Sequence, residues 1–257
     1  MNNRFTLVSD DAGDGDPVVM IHGLGGSSNT FEALMPELTT YRCVRPDMPG
    51  AARTGLPHAR LTLDVIVDLV ADWIQATGLE RCHLLGHSMG TLVCQKLAET
   101  RSELVASMVL FGALTEPPDA ARKGLLDRAA GVRKNGMDGV ADQISKATLA
   151  PETHRNNPVA AAFVRESLMR QSPEGYAQNC EALSGAKAAL WRKIKTPVLL
   201  MTGEHDPVAP VSMARLLNEN IEGSEIRIVP GCGHWTPIER PTDCTNATRE
   251  FLQRHRI

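Results

Sequence analysis

Several features that would assign this chain to a narrow class are missing. No run approaches the ~18 consecutive apolar residues that a membrane helix requires. The formal net charge over 257 residues is only −3. Nucleic-acid binding and adhesion to an anionic bilayer both need a concentrated positive face, so neither is expected. The opening Met1-Asn2-Asn3-Arg4-Phe5 has no apolar core followed by a small-residue cleavage site, so no secretory leader is expected. The six cysteines, Cys43, Cys82, Cys94, Cys180, Cys232 and Cys244, form no C-x-x-C pair, and several sit inside apolar patterns. That usage suits reduced, buried thiols in a cytoplasmic protein. Cys232 and His234 have a C-x-H look, but no further ligands stand at metal spacing, and neither a metal nor a cofactor is called for. What remains is ordinary globular composition, 42% hydrophobic and 22% charged. A chain of this length can bury roughly 70–75% of its unfolded surface without a disulfide or metal staple.

Short apolar runs bounded by turn residues alternate with amphipathic stretches. Strands are expected at Arg4–Val8, Val18–Ile21, Arg42–Arg45, Cys82–Leu85, Ala106–Phe111, Val198–Met201 and Glu225–Val229. A Gly/Asp turn cluster from Asp11 to Asp16 ends the first. Helical spacing runs over Leu61–Thr77, where Leu61, Val65, Leu69 and Trp73 share one face and Asp64, Asp68 and Asp72 share a solvated one. Leu92–Thr100, Ser212–Asn220 and Thr242–Arg254 read as further helices. This alternation predicts an α/β fold, a mostly parallel sheet with helices on both faces.

From about Leu114 to Trp191 the pattern turns wholly helical. Breakers at Pro117-Pro118, Gly131, Asn135-Gly136, Pro151, Asn157-Pro158 and Ser172-Pro173 cut it into four or five short helices. The expected organisation is a core made of residues 1–113 and 195–257, with a helical cap inserted at 114–194. Such a cap would cover the carboxyl edge of the sheet, where open α/β sheets bind ligands.

Cys82-His83-Leu84-Leu85-Gly86-His87-Ser88-Met89-Gly90 reads as strand, then G-x-S-x-G, then helix. A serine alcohol is a poor nucleophile unless exposed, oriented and paired with a base. A strand-to-helix turn tight enough to need both glycines would push Ser88 above the sheet edge, close to backbone amides. A serine that merely caps a helix explains neither glycine. Partners follow in the chain order this arrangement uses: Asp206 just after the strand Val198–Met201, then His234 in the loop after Glu225–Val229. Each falls just past a strand's carboxyl end, so the three can converge on one crevice. Acyl transfer also needs donors for an oxyanion, each worth about 3 kcal/mol of barrier. The glycine-rich loop His22-Gly23-Leu24-Gly25-Gly26 assigns that task to the backbone N–H groups of Leu24 and Met89.

Other residues carry plainer readings. His22 and His87 are expected to shape turns, His205 to lie at the surface, and Glu204 to be a reserve acid for Asp206. Of the basic residues in the cap, Arg128 is a candidate to bind a substrate carboxylate, with Met137, Phe163 and Trp235 as apolar lining. A dinucleotide fold built on Gly23, Gly25 and Asp47 fails, because Ser28 stands at the third glycine position and Ser88, Asp206 and His234 would be coincidences.

Over essentially its whole length the chain resembles α/β-hydrolase-fold enzymes, at His22-Gly23-Leu24-Gly25, Asp47-Met48-Pro49-Gly50, Gly86–Gly90, Gly203-Glu204-His205-Asp206 with Pro210, and Gly233-His234. In particular it resembles 3-oxoadipate enol-lactonases and related small-ester and lactone hydrolases, at Ser172-Pro173-Glu174-Gly175-Tyr176-Ala177 and at Leu190–Ile194 leading into Thr196-Pro197-Val198. The resemblance implies one antiparallel strand near the start of the sheet. It also implies a carboxylic ester hydrolase that uses Ser88, His234 and Asp206 through an acyl-enzyme, without a cofactor, on a small-molecule ester or lactone such as an enol-lactone of aromatic catabolism. Carbon–carbon bond hydrolysis of ring-cleavage products, peracid formation, and a non-enzymatic ligand receptor are the alternatives on the same fold. Two departures stand out. Ala51-Ala52-Arg53-Thr54 replaces the usual Gly-His-Gly-x-Ser continuation, and Lys146-Ala147-Thr148-Leu149 lacks the aromatic residues expected around a dicarboxylate-derived lactone.

Overall fold

Val18 and Met20 face one side of their strand and Val19 and Ile21 the other, yet all four are fully buried. The same two-sided burial recurs at Leu84 and Leu85, at Met108 to Phe111, and at Val198 to Met201. Continuous apolar runs of this kind require a sheet covered on both faces.

The computed structural model describes residues 5–257. Its strands are β1 (Ser9–Ala12), β2 (Asp16–Ile21), β3 (Tyr41–Pro46), β4 (Cys82–His87), β5 (Val105–Phe111), β6 (Val198–Gly203) and β7 (Glu225–Val229). They form one sheet in the order β1-β3-β2-β4-β5-β6-β7. Every neighbouring pair is parallel except β1 with β3. One face packs against α1 (Leu63–Ala76), α2 (Met89–Thr100) and α8 (Val211–Asn220); the other packs against the 3-10 helix Ser28–Glu37, the short α9 (Thr236–Glu239) and α10 (Pro241–Arg254).

Two expectations need correction. The first strand is not at Arg4–Val8: Arg4 lies outside the described residues, and 5–8 are not strand. Strand β1 instead occupies Ser9–Ala12, overlapping the start of the stretch read as a turn cluster from Asp11 to Asp16. It is an edge strand held by its ladder to β3 and by ion pairs from Asp11 to Arg42 and from Asp10 to Arg53. Charged edge strands are common because they discourage further pairing, and they carry no apolar alternation to read. Leu61 and Trp73 are buried as expected, but Val65 and Leu69 are only half-buried, and the buried face of α1 also takes in Leu63, Ile66, Val67, Val70 and Ile74. The acidic face of Asp64, Asp68 and Asp72 is exposed as expected.

Between β5 and β6 lie five helices: α3 (Asp119–Asn135), α4 (Asp138–Thr148), α5 (Pro151–Asn156), α6 (Pro158–Met169) and α7 (Pro173–Ser184). Proline opens α5, α6 and α7, where its missing N–H is harmless. Asn157 and Ser172 accept capping hydrogen bonds from Ala160 and Gly175. Gly136, at φ 77°, ends α3, whereas Gly131 lies within that helix and breaks nothing. Helix α3 packs along α7, and α4 along α6. Among the described residues, no helix is long and apolar enough to cross a membrane.

Candidate active site

Strand β4 ends at His87, helix α2 begins at Met89, and the whole reversal falls on Ser88. Its φ of 51° and ψ of −120° are strained for a residue with a Cβ, a cost of order 1–3 kcal/mol typical of functional turns. The turn is over-determined. The Ser88 N–H donates to Phe111 O at 3.0 Å, and the Ser88 carbonyl accepts from the N–H and hydroxyl of Thr91 at 2.9 and 2.6 Å. The flanking glycines supply room rather than unusual dihedrals. A Cβ on Gly90 would lie 2.1 Å from the Ile21 carbonyl oxygen, and one on Gly86 would lie 2.8 Å from Cys94 Sγ.

The loop after β7 places His234 beside this serine, with Nε2 2.8 Å from Ser88 Oγ. Its Nδ1 lies 2.8 Å from Oδ2 of Asp206, from the loop after β6. Asp206 Oδ1 accepts from the N–H groups of Val208 and Ala209, both at 2.8 Å. Burial opposes ionisation of Asp206, but the facing imidazole and these hydrogen bonds outweigh it, so its carboxyl is held below the usual range. Gly112, at φ 57°, lets the chain pass beneath the pair: a Cβ there would lie 3.1 Å from the His234 ring.

Facing the serine is the loop after β2. His22 Nε2 accepts the Met48 N–H at 2.9 Å, which leaves Nδ1–H to donate to Gly23 O at 2.8 Å. Gly26 N–H donates to the same carbonyl at 3.0 Å. Fixing the Gly23 carbonyl fixes the peptide plane, and with it the Leu24 N–H on the opposite side. Among the described residues, neither Leu24 N–H nor Met89 N–H has a protein acceptor. Gly23 approaches so closely that its Cβ would lie 2.6 Å from Ser88 Cβ. His22 and His87 both have the shaping roles expected of them. Both are neutral because burial lowers them, His87 to about 3. His87 donates from Nε2 to His234 O at 3.0 Å.

A cavity of about 270 Å³ opens from Ser88 and His234 toward the cap. Leu125, Ile144, Leu183, Met213 and Trp235 make much of its wall. Its polar features are few. Arg128 lines it and has no carboxylate partner among the described residues, whereas Arg122, Arg133, Arg155 and Arg165 in the cap each pair with an acid. The Tyr176 hydroxyl, also at the wall and near Arg128, is buried with no partner at hydrogen-bond geometry among the described residues. Met137 and Phe163 are not at this cavity; Met137 lies in, and Phe163 packs against, the apolar cluster that runs from one face of the sheet into the cap. Glu204 accepts from Gly231 N–H at 3.0 Å, away from His234, and His205 is exposed. Two residues beneath His234 had no functional reading: Thr148, which also lines the cavity, and Glu239. No sequence signal would have found them, since a threonine ending a helix and a glutamate between Ile238 and Arg240 read as surface residues.

A model of the alpha/beta hydrolase fold family matches residues 16–241. The chain is 28% identical to a 2-hydroxy-6-oxo-6-(2'-aminophenyl)hexa-2,4-dienoic acid hydrolase of Metapseudomonas resinovorans, over 95% of this chain and 86% of that protein. Its structure is similar to that of a thermophilic esterase from Thermogutta terrifontis (TM-score 0.93, 25% identity, 97% of this chain and 94% of that one). It is also similar to an enol-lactonase from Burkholderia xenovorans (TM-score 0.88, 25% identity, 96% of each). The chain is therefore a hydrolase that belongs to the alpha/beta hydrolase fold family.

Proposed function

We propose that this protein cleaves a carboxylic ester or lactone bond of a small molecule through an acyl-enzyme on Ser88. The observation that carries the reading is the pair of 2.8 Å contacts joining Ser88, His234 and Asp206. His234 takes the Ser88 proton as the serine attacks the carbonyl, while Asp206 holds the imidazole tautomer and stabilises its charged form. The tetrahedral oxygen rests on the unoccupied N–H groups of Leu24 and Met89. His234 then protonates the leaving oxygen, and water activated by the same histidine releases the acid. For a lactone the leaving oxygen stays tethered to the acyl group, and the five cap helices act as a lid that retains it.

Turnover of a nitrophenyl ester tests this directly. Ser88→Ala is expected to lower kcat by about 10⁴–10⁶-fold while leaving the fold intact; equal rates would end the hydrolytic reading, and with it favour a ligand receptor. Carbon–carbon hydrolysis keeps the same three residues. Comparing kcat/KM across enol-lactones, aryl esters and ring-cleavage dienones separates the two.

The same reading gives the substrate a carboxylate, received by Arg128, a cation that lines a largely apolar cavity and has no carboxylate partner among the described residues. Arg128→Gln is then expected to weaken kcat/KM for a hemisuccinate ester by about 10–100-fold. A neutral ester of similar size should change little. Equal losses for both would remove Arg128 from recognition.

A further inference from the structure

Beneath His234 lies a buried carboxylate to which the reaction above gives no task. Glu239 is 3% exposed and accepts four hydrogen bonds. Its Oε2 takes the Ala150 N–H at 2.9 Å, the Gly233 N–H at 3.1 Å and the Thr153 hydroxyl at 2.6 Å; its Oε1 takes the Trp235 N–H at 3.0 Å. Every partner is a donor, so the position requires a side chain that only accepts, which among the twenty means an ionised carboxylate. The neighbouring Arg240 guanidinium does not neutralise it. That group is turned to the backbone carbonyls of Glu239 and Gly231.

The partners fall into two sets. Gly233 and Trp235 flank His234, whereas Ala150 and Thr153 belong to the corner between α4 and α5 of the cap. The same two segments also meet directly. The His234 N–H donates to Thr148 O at 2.8 Å, and the Trp235 indole N–H donates to Thr148 Oγ1 at 2.9 Å. Three successive backbone N–H groups, those of residues 233, 234 and 235, thus end on Glu239, Thr148 and Glu239 again. Gly233 is the residue that permits this approach: a Cβ there would lie 2.5 Å from Thr148 O and 2.6 Å from Ala150 N.

We propose that Glu239 is a positioning residue for His234, clamping the histidine loop to the α4–α5 corner so that the seat of the cap and the register of the imidazole change together. This rests on His234 being the base for Ser88. An imidazole has to sit within a few tenths of an ångström of both partners, and a misplacement near 1 Å costs on the order of 100-fold in rate. The His234 loop has to be held against the rest of the fold to keep it there. A carboxylate that bonds to both neighbours of His234 does.

Glu239→Gln keeps the volume but turns one acceptor into a donor facing N–H groups. It is expected to lower kcat for a nitrophenyl ester by about 10–100-fold with KM within about twofold. It should also shift or broaden the downfield proton resonance of the His234–Asp206 hydrogen bond. Both are read well below the unfolding midpoint, where circular dichroism matches the wild type, so that simple loss of stability moves neither. Thr153→Val removes one cap-side donor and leaves the carboxylate; a smaller loss in the same direction is expected, and this variant carries the test if Glu239→Gln does not fold. Wild-type kcat and an unmoved resonance in the folded variants would overturn the proposal, as would a loss confined to KM. If Ser88→Ala proved as active as wild type, the triad reading would fail separately, and the resonance would still report on the clamp.

Discussion

Acidification from pH 7 to pH 5 should strip this fold of about 3.5 kcal/mol through two histidines, His83 and His87. Burial is the main cause in both, lowering His83 to about 4 and His87 to about 3 from the ordinary imidazole value of 6.5. Burial lowers His22 in the same direction. The contacts agree with neutral rings: the His22 ring already accepts one N–H and donates once, so a second ring proton would face the Met48 N–H. Well above pH 6.5 neither the folded nor the unfolded chain protonates these groups, and their contribution to stability is complete. As pH falls, the unfolded imidazoles bind protons while the folded ones do not, so stability is lost until the lowered folded values are reached. For an unfolded pKa near 6.5 and a folded value of 3–4, each group gives up about 1.8 kcal/mol between pH 7 and pH 5. Ordinary carboxylates titrate below that window. Urea unfolding at pH 7, 6 and 5 measures the total, and His83→Gln should shrink the difference between pH 7 and pH 5 by about 1.8 kcal/mol. An unchanged difference in that variant would refute the reasoning.

The remaining expectations concern the turn geometry and the thiols. Gly23→Ala places a Cβ 2.6 Å from Ser88 Cβ and 2.9 Å from His87 O. The Gly23–Leu24 peptide, proposed above to receive the oxyanion, must move, so on that proposal kcat should fall by about 10²–10³-fold in a folded protein; steady-state kinetics with circular dichroism check it. Ala52 stands at φ 46°, where glycine is at ease. Ala52→Gly should therefore stabilise by about 0.5 kcal/mol, a relieved backbone cost set against greater unfolded-state entropy, seen as a higher urea midpoint. All six cysteines are free and buried, and burial pushes Cys43, Cys82 and Cys180 up to about 12. An aromatic disulfide reagent at pH 8 should find none of the thiols in the native state and all of them in urea.

How much was legible in the chain follows from where each residue gets its constraint. Strands β2, β4, β5 and β6 could be read because burial on both faces forces unbroken apolar runs. Strand β1 could not, because Ser9-Asp10-Asp11-Ala12 is held by a ladder to β3 and by Arg42 and Arg53, all distant in sequence. The face of α1 was misphased because apolar residues stand at 65, 66 and 67 and again at 69, 70 and 71, which allows more than one stripe. Ser88, Asp206 and His234 could be brought together on paper because each lies one step beyond a parallel strand, and parallel strands end on the same side. Met137 and Phe163 were assigned to the cavity from their apolarity alone. Where the cap's apolar residues continue into the core of the sheet, that property does not distinguish wall from interior. The departure at Ala51-Ala52-Arg53-Thr54 also has a physical sense in the fold. Arg53 reaches back to the fully buried Asp47 at 2.6 Å and to Asp10 at 2.9 Å, binding this loop to the edge strand.

On the proposed function, chemistry and selectivity are set by different kinds of contact. The serine turn, the Leu24 peptide and the Asp206 loop are fixed by backbone hydrogen bonds and by glycines at 23, 86, 90 and 112 that admit no side chain without a shift. None of these depends on what the cavity receives. Arg128, Leu125, Ile144 and Leu183 belong to the cap, whose side chains can change without disturbing that backbone. On this division, substitutions in the cap would move KM and substrate choice, and those in the core would move kcat. The corner from Thr148 to Thr153 is the exception, since it bonds to the backbone on either side of His234. A cap substitution there should behave like one in the catalytic loop, lowering kcat for every substrate alike. One that altered selectivity instead would show that cap and histidine are not coupled through Glu239.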